Sequence, residues 1–248
     1  MVAISGLARE LQSISGDEYC AGLWRQKLDS QLCWLSVGQS KPRSCSEDDT
    51  SPIIPSWSWA STDMSIRYNF NEGPATTTRL LLKNLEFIAD PEEDSFGASS
   101  TAGLLLGFES FWTGKVDFSG ENAQRKLIHC KIEIAGRTLK SKESSFSVSD
   151  DIVKQEDIYF LPVIQFTDQF LRTRLSCLIL QRSETGKGHF KRIGMLDICY
   201  FNFGTEDECV EMEEQISAFD AEAQVDDDLC SRILRDESGS VQRFITLV

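Results

Sequence analysis

The chain has 248 residues, 41% of them hydrophobic with 15 Phe, and a formal net charge of −14. That apolar content fills a sizeable core and excludes a disordered chain, while the acidic balance excludes nucleic acid and anionic membrane as default partners, since both need a basic surface. Met1–Arg9 lacks the basic start and long apolar run of a signal peptide, and no window approaches 18 consecutive apolar residues.

Val2, Ile4, Leu7, Ala8 and Leu11 recur at helical spacing and predict a helix over 2–12. Ser15-Gly16-Asp17 breaks it, and Ala21-Gly22-Leu23-Trp24 is a short apolar knot. Leu28, Leu32 and Leu35, with Trp34, predict a second helix near 26–36. Residues 38–52, polar with two prolines, form the best linker. Then comes Pro55-Ser56-Trp57-Ser58-Trp59-Ala60-Ser61, the stretch around which the rest is organised. Two tryptophans two positions apart share one face of a strand, with Ser56, Ser58 and Ala60 on the other. A core strand is the first reading and a ligand-stacking aromatic pair the second.

Strand periodicity dominates after that. Residues 79–89 alternate Leu80, Leu82 and Ile88 against Leu81, Leu85 and Phe87, so both faces are candidates for burial. Further strands are expected over 102–108, 127–134, 157–166, 174–181 and 190–201, the last two joined as a hairpin through the glycine-rich run 182–189. Eleven acidic residues lie between Glu206 and Asp228 with no Lys or Arg, and carry one helix near 206–220. Residues 243–248 read as a closing strand. The expected fold is α+β, mainly β. A short helical lead-in (1–45) precedes a β-rich domain (53–248), a sandwich or open barrel with an acidic helix near the C-terminus.

Chemistry is sparse. Gly186-Lys187-Gly188 is only a fragment of a phosphate-binding loop, and the dinucleotide and nucleophile-elbow motifs are absent. The eight cysteines form no Cys-x-x-Cys pair, and with two histidines they supply no four-ligand zinc pattern. His129 and Cys130, as strand neighbours, point to opposite faces and cannot form a dyad with each other. Asp226-Asp227-Asp228 lacks the calcium-loop pattern and reads as a solvated loop. No catalytic residue, metal or cofactor is expected. Without a signal peptide, reduced core thiols and a cytoplasmic location are expected.

Two segments in combination resemble the region that follows the heterokaryon incompatibility (HET) domain in filamentous-fungal proteins. They are Val2–Ala8 with Gly16–Trp24, and Pro55–Ser61 with Asp63. Looser likenesses are Asp94-Ser95-Phe96-Gly97 and Phe190-Lys191-Arg192-Ile193-Gly194. The signature runs of the HET domain itself are not in this sequence. The resemblance implies that the domain lies upstream and that 1–36 hold its last helices or a bridge from it. The family's role, fungal non-self recognition, is not carried to particular residues.

Two functions follow. The first is a non-catalytic accessory or recognition module, not an enzyme. Its expected interaction surface is Leu23, Trp24, Leu28 and Trp34, left exposed for a protein partner or the upstream domain; Pro55, Trp57, Trp59 and Ser61 are its structural motif. The alternative is a small-ligand binder or enzyme on a β-sandwich, with Trp57, Trp59 or Trp112 in a cleft.

Overall fold

The first helical spacing becomes α1 (Val2–Ser15), which ends as Gly16 takes φ +70°. The computed structural model describes residues 2–37, 54–62, 64–68, 77–88, 102–117, 131–134, 136–138, 143–148, 158–167, 172–201, 207–223 and 225–248. The expected linker, His129, Cys130 and Asp94–Gly97 lie outside the described residues. β1 (Tyr19–Cys20) and β2 (Leu23–Trp24) form a hairpin, with Cys20 opposite Leu23. Its two turn residues, Ala21 and Gly22, have φ of 46° and 99°, the positive values that match the twist of a two-residue hairpin.

The second expected helix is much shorter. α2 (Leu28–Leu32) has five residues, and Trp34–Val37 extends instead as β3, pairing with β4 (Ser65–Tyr68) so that Trp34 lies opposite Tyr68. A cross-strand ladder with a distant segment overrides helical spacing here. Pro55–Ser61 is not a strand either. Ser58 N–H donates to the Pro55 carbonyl at 3.0 Å, and residues 59–61 form a 3-10 turn whose Ala60 N–H donates to Ser58 Oγ at 3.1 Å. The serines bond their own backbone, which competes with strand formation.

The remaining strands are β5 (Thr77–Leu80), β6 (Leu82–Ile88), β7 (Gly103–Phe108), β8 (Trp112–Asp117), β9 (Lys131–Ile134), β10 (Arg137–Thr138), β11 (Glu143–Val148), β12 (Ile158–Thr167), β13 (Arg172–Arg182), β14 (His189–Phe201), β15 (Arg232–Arg235) and β16 (Val241–Leu247), with α3 (Asp207–Glu222) between β14 and β15. They build one twelve-stranded sheet, more strands than periodicity found, along the path β10-β9-β8-β12-β13-β14-β16-β7-β6. β5 adds to β12, β11 to β14 and β15 to β16. The sheet is mixed, because β14 and β16 run parallel. It is not a closed barrel, and the fold is α+β and mainly β, as expected.

The meander β12-β13-β14 is the centre, and both its faces are buried. Tyr159, Leu161, Leu178, Leu180, Phe190 and Met195 face one core, shared with Leu104, Leu106, Ile245 and Leu247. Leu23, Leu28, Leu32, Leu35 and Trp57 belong to that same core, so the lead-in has no separate interior. Alternate residues, Phe160, Leu175, Cys177, Ile179, Leu196 and Ile198, face a second core closed by Trp112 and by Phe219 of α3. Double coverage explains why β12 and the middle of β13, Leu175–Leu180, read as largely apolar runs. The expected double burial of 79–89 is met only in part: Leu81 packs on the second core. A bulge between Leu82 and Asn84 shifts the phase, so Leu82, Leu85 and Phe87 pack on the core while Leu80 and Ile88 are exposed.

Candidate functional site

The surface expected at Leu23, Trp24, Leu28 and Trp34 is not exposed. Leu23, Leu28 and Trp34 are buried and Trp24 is half-buried, its ring 4.9 Å from that of Tyr19 at 62°. The physical reason is that β3 and the β1-β2 hairpin close onto the sheet rather than continuing a helix away from it. The Trp-lined cleft fails likewise. Trp57 and Trp112 expose nothing, Trp59 packs against the first core, and its Nε1–H donates to the Gly22 carbonyl at 2.6 Å. The Nε1–H of Trp112 donates to Asp220 Oδ1 of α3 at 2.8 Å.

Pro55–Ser61 is instead a fastening point between distant parts of the chain. The Ser56 hydroxyl donates to the Val248 carbonyl at 2.5 Å and accepts from the Arg192 backbone N–H at 2.8 Å. The Trp57 carbonyl accepts from Trp34 Nε1–H at 3.2 Å, and Ser61 Oγ donates to the Ser58 carbonyl at 2.7 Å. Pro55 is buried at its head. Lead-in, sheet and final strand therefore meet within seven residues, which gives the four motif positions a structural role.

Beside this knot runs a buried polar seam between the lead-in and β14. Ser176 and Asp197 are cross-strand partners on β13 and β14, and Ser176 Oγ donates to Asp197 Oδ1 at 2.6 Å. Further along β14 lies Arg192, 5% exposed, with its guanidinium carbon 3.5 Å from the centroid of the Trp34 ring. Its Nη2 donates to the Trp34 carbonyl, while Nε and Nη1 have no hydrogen-bond partner. Burial lowers its pKa well below the ordinary arginine value, to about 9. Neither Arg192 nor Asp197 stood out as a site in sequence. The available signal was three charges, Lys191, Arg192 and Asp197, inside the otherwise apolar run 190–201.

The described thiols are poor nucleophiles. Burial raises Cys20 to about 11 and, with the negative charge of Asp197 adding to it, raises Cys33 and Cys177 well above 9; Cys230 is raised by burial too. A raised pKa lowers the thiolate fraction, to roughly 10⁻³ at pH 8 for a thiol near 11. Iodoacetamide at pH 8 should therefore alkylate Cys20, Cys33 and Cys177 at least about 100-fold more slowly in the folded chain than in the unfolded one, and Cys230 more slowly too. Residue-resolved mass spectrometry checks this; fast labelling of any of them would place that thiol outside the core.

Other candidates resolve into structure. His189 is half-buried at the head of β14, its Nδ1 3.1 Å from Thr185 Oγ1. Asp226 caps a 3-10 turn by accepting from Asp228 N–H, while Asp227 pairs with Arg243 at 3.2 Å and Asp228 with Lys187 at 3.0 Å. Among the described residues no group of three or more His, Cys, Asp or Glu is placed to hold a metal ion, and no helix is long and apolar enough to cross a membrane. One apolar surface was not anticipated: on α1, Leu7, Leu11 and Ile14 are 61%, 44% and 73% exposed. No family model matches the chain, and neither a curated protein nor a solved structure matches it.

Proposed function

We propose that the chain is a non-catalytic recognition module of the kind that follows the HET domain in fungal proteins, working in the cytoplasm by holding a HET domain against α1. The observation that carries this reading is the stripe Leu7, Leu11 and Ile14. The spacings of four and three put these residues on one helix face, and all three point to solvent. The other side of α1 is anchored, with Ala8 buried and Gln12 Oε1 accepting from the Tyr19 N–H at 2.8 Å. An anchored helix with an uncovered apolar stripe is a surface for a helical partner. The resemblance of Val2–Ala8 with Gly16–Trp24, and of Pro55–Ser61 with Asp63, to the family region names that partner.

The test is binding of a HET domain supplied as a separate chain, read by calorimetry and by size-exclusion chromatography. A one-to-one complex is expected, weakened at least about tenfold by Leu7→Asp or Leu11→Asp. Both substitutions lie on an exposed face and should change stability by no more than about 0.5 kcal/mol. No complex, or equal binding by both variants, overturns the reading.

A further inference from the structure

Arg192 is the one described residue whose charged side chain is buried with donors left over. Its ring-stacked guanidinium keeps Nε–H and Nη1–H without an acceptor, and only Nη2 is bonded, to a neutral carbonyl. Among the described residues, the groups that act on it electrostatically are the Cys33 thiol and the Tyr68 hydroxyl. Burial raises the pKa of both, so both stay uncharged at neutral pH. A fork of N–H donors held over an indole, in a low-dielectric seam and with no counter-charge among the described residues, is complementary to one planar or tetrahedral oxyanion.

We infer that Arg192 is the receptor for one oxyanion group, a carboxylate or a phosphate of a small ligand, seated between β14 and the β3-β4 ribbon. The ribbon supplies the means of admission. β3 and β4 form a two-stranded sheet of their own, outside the twelve-stranded one. Trp34, at its head, is tied down by the Arg192 Nη2 bond to its carbonyl and by its own Nε1–H bond to the Trp57 carbonyl. Both free donors are shut off from solvent, so the anion enters when the ribbon lifts from β14. Binding replaces solvation that the folded guanidinium lacks, which is why one weakly basic chain position in an acidic protein can select an anion.

Nitrogen-detected arginine side-chain NMR on the full chain tests this, with inorganic phosphate and acetate compared against chloride at equal ionic strength. The Nε–H resonance of Arg192 should move and saturate with one of the two oxyanions, phosphate marking a phosphoryl ligand and acetate a carboxylate. The thermal midpoint should rise with it, by about 5 °C at roughly a hundredfold the dissociation constant. Arg192→Met should abolish that rise, and Arg192→Lys, which keeps the charge but loses the fork, should weaken binding by about tenfold. A resonance that moves no more than with chloride overturns the inference, as does a rise that survives Arg192→Met. The wild-type resonance decides the matter even if the Met variant does not fold.

Discussion

Trp57→Ala should lower the unfolding free energy by about 4 kcal/mol, among the largest losses available to a single side chain here. Trp57 is 0% exposed, belongs to the first core and lies with its ring centroid 6.1 Å from that of Phe87 on β6. Truncation opens a cavity where lead-in and sheet meet, and the backbone there cannot collapse freely, because the preceding Ser56 is bonded to Val248 and Arg192 and the Trp57 carbonyl itself to Trp34. A denaturant titration with Trp57→Phe beside it separates packing from polarity. The Trp57 Nε1–H has no hydrogen-bond partner, so Phe removes a buried donor without breaking a bond, and its cost should stay near 1–2 kcal/mol. Trp59→Phe breaks the 2.6 Å bond to Gly22 and leaves that carbonyl without its partner, a penalty of about 1–3 kcal/mol. If Trp57→Ala cost less than about 1 kcal/mol, the knot would not fasten the fold.

The same motif shows how far sequence reasoning reaches. Its importance was legible from two tryptophans between serines and prolines, yet its conformation was not, because Ser58 and Ser61 satisfy the backbone locally instead of through a ladder. Long strands were read well where both faces are covered: Ile158–Ile164 and the middle of Arg172–Arg182, from Leu175 to Leu180, are mostly apolar because two cores flank them. Trp34–Val37 was taken for helix because Leu28, Leu32 and Leu35 keep helical spacing, and only the pairing with Ser65–Tyr68 reveals a strand. That pairing lies some thirty residues away and leaves no local mark. The short strands Trp112–Asp117, Glu143–Val148 and Arg232–Arg235 escaped for the same reason, their mixed composition being stabilised by neighbours in the sheet. An exposed apolar surface was expected on the right part of the chain but on the wrong residues. Leu23 and Leu28 look no less sticky in sequence than Leu7 and Leu11, and what separates them is which ones the sheet covers. The seam at Arg192 was illegible because two of its walls, β3 and the 3-10 turn, were both assigned to other conformations.

Gly188→Ala should cost about 3–5 kcal/mol, from two causes that a second variant separates. Gly188 has φ +68°, a region that costs an L-residue roughly 1 kcal/mol or more. A Cβ there would also stand 1.9 Å from the Ser231 amide nitrogen and 2.4 Å from the Cys230 carbonyl carbon, and both atoms are backbone. They cannot yield easily. Ser231 N–H donates to the Phe244 carbonyl at 2.9 Å, and the Gly188 carbonyl itself accepts from Thr246 N–H at 2.9 Å. The tip of the β13-β14 hairpin is thus docked on the segment leading into β15, with Lys187 and Asp228 paired 3.0 Å apart beside it. Gly239, with φ +84° and nothing within 4 Å of a Cβ, shares the conformation but not the contact. Gly239→Ala should therefore cost about 1 kcal/mol, the backbone term alone. The difference between the two variants measures the docking contact. Equal losses would mean that the hairpin tip is not pressed against Ser231, and that the parallel β14-β16 pairing, two residue pairs long at His189 and Phe190, needs another support.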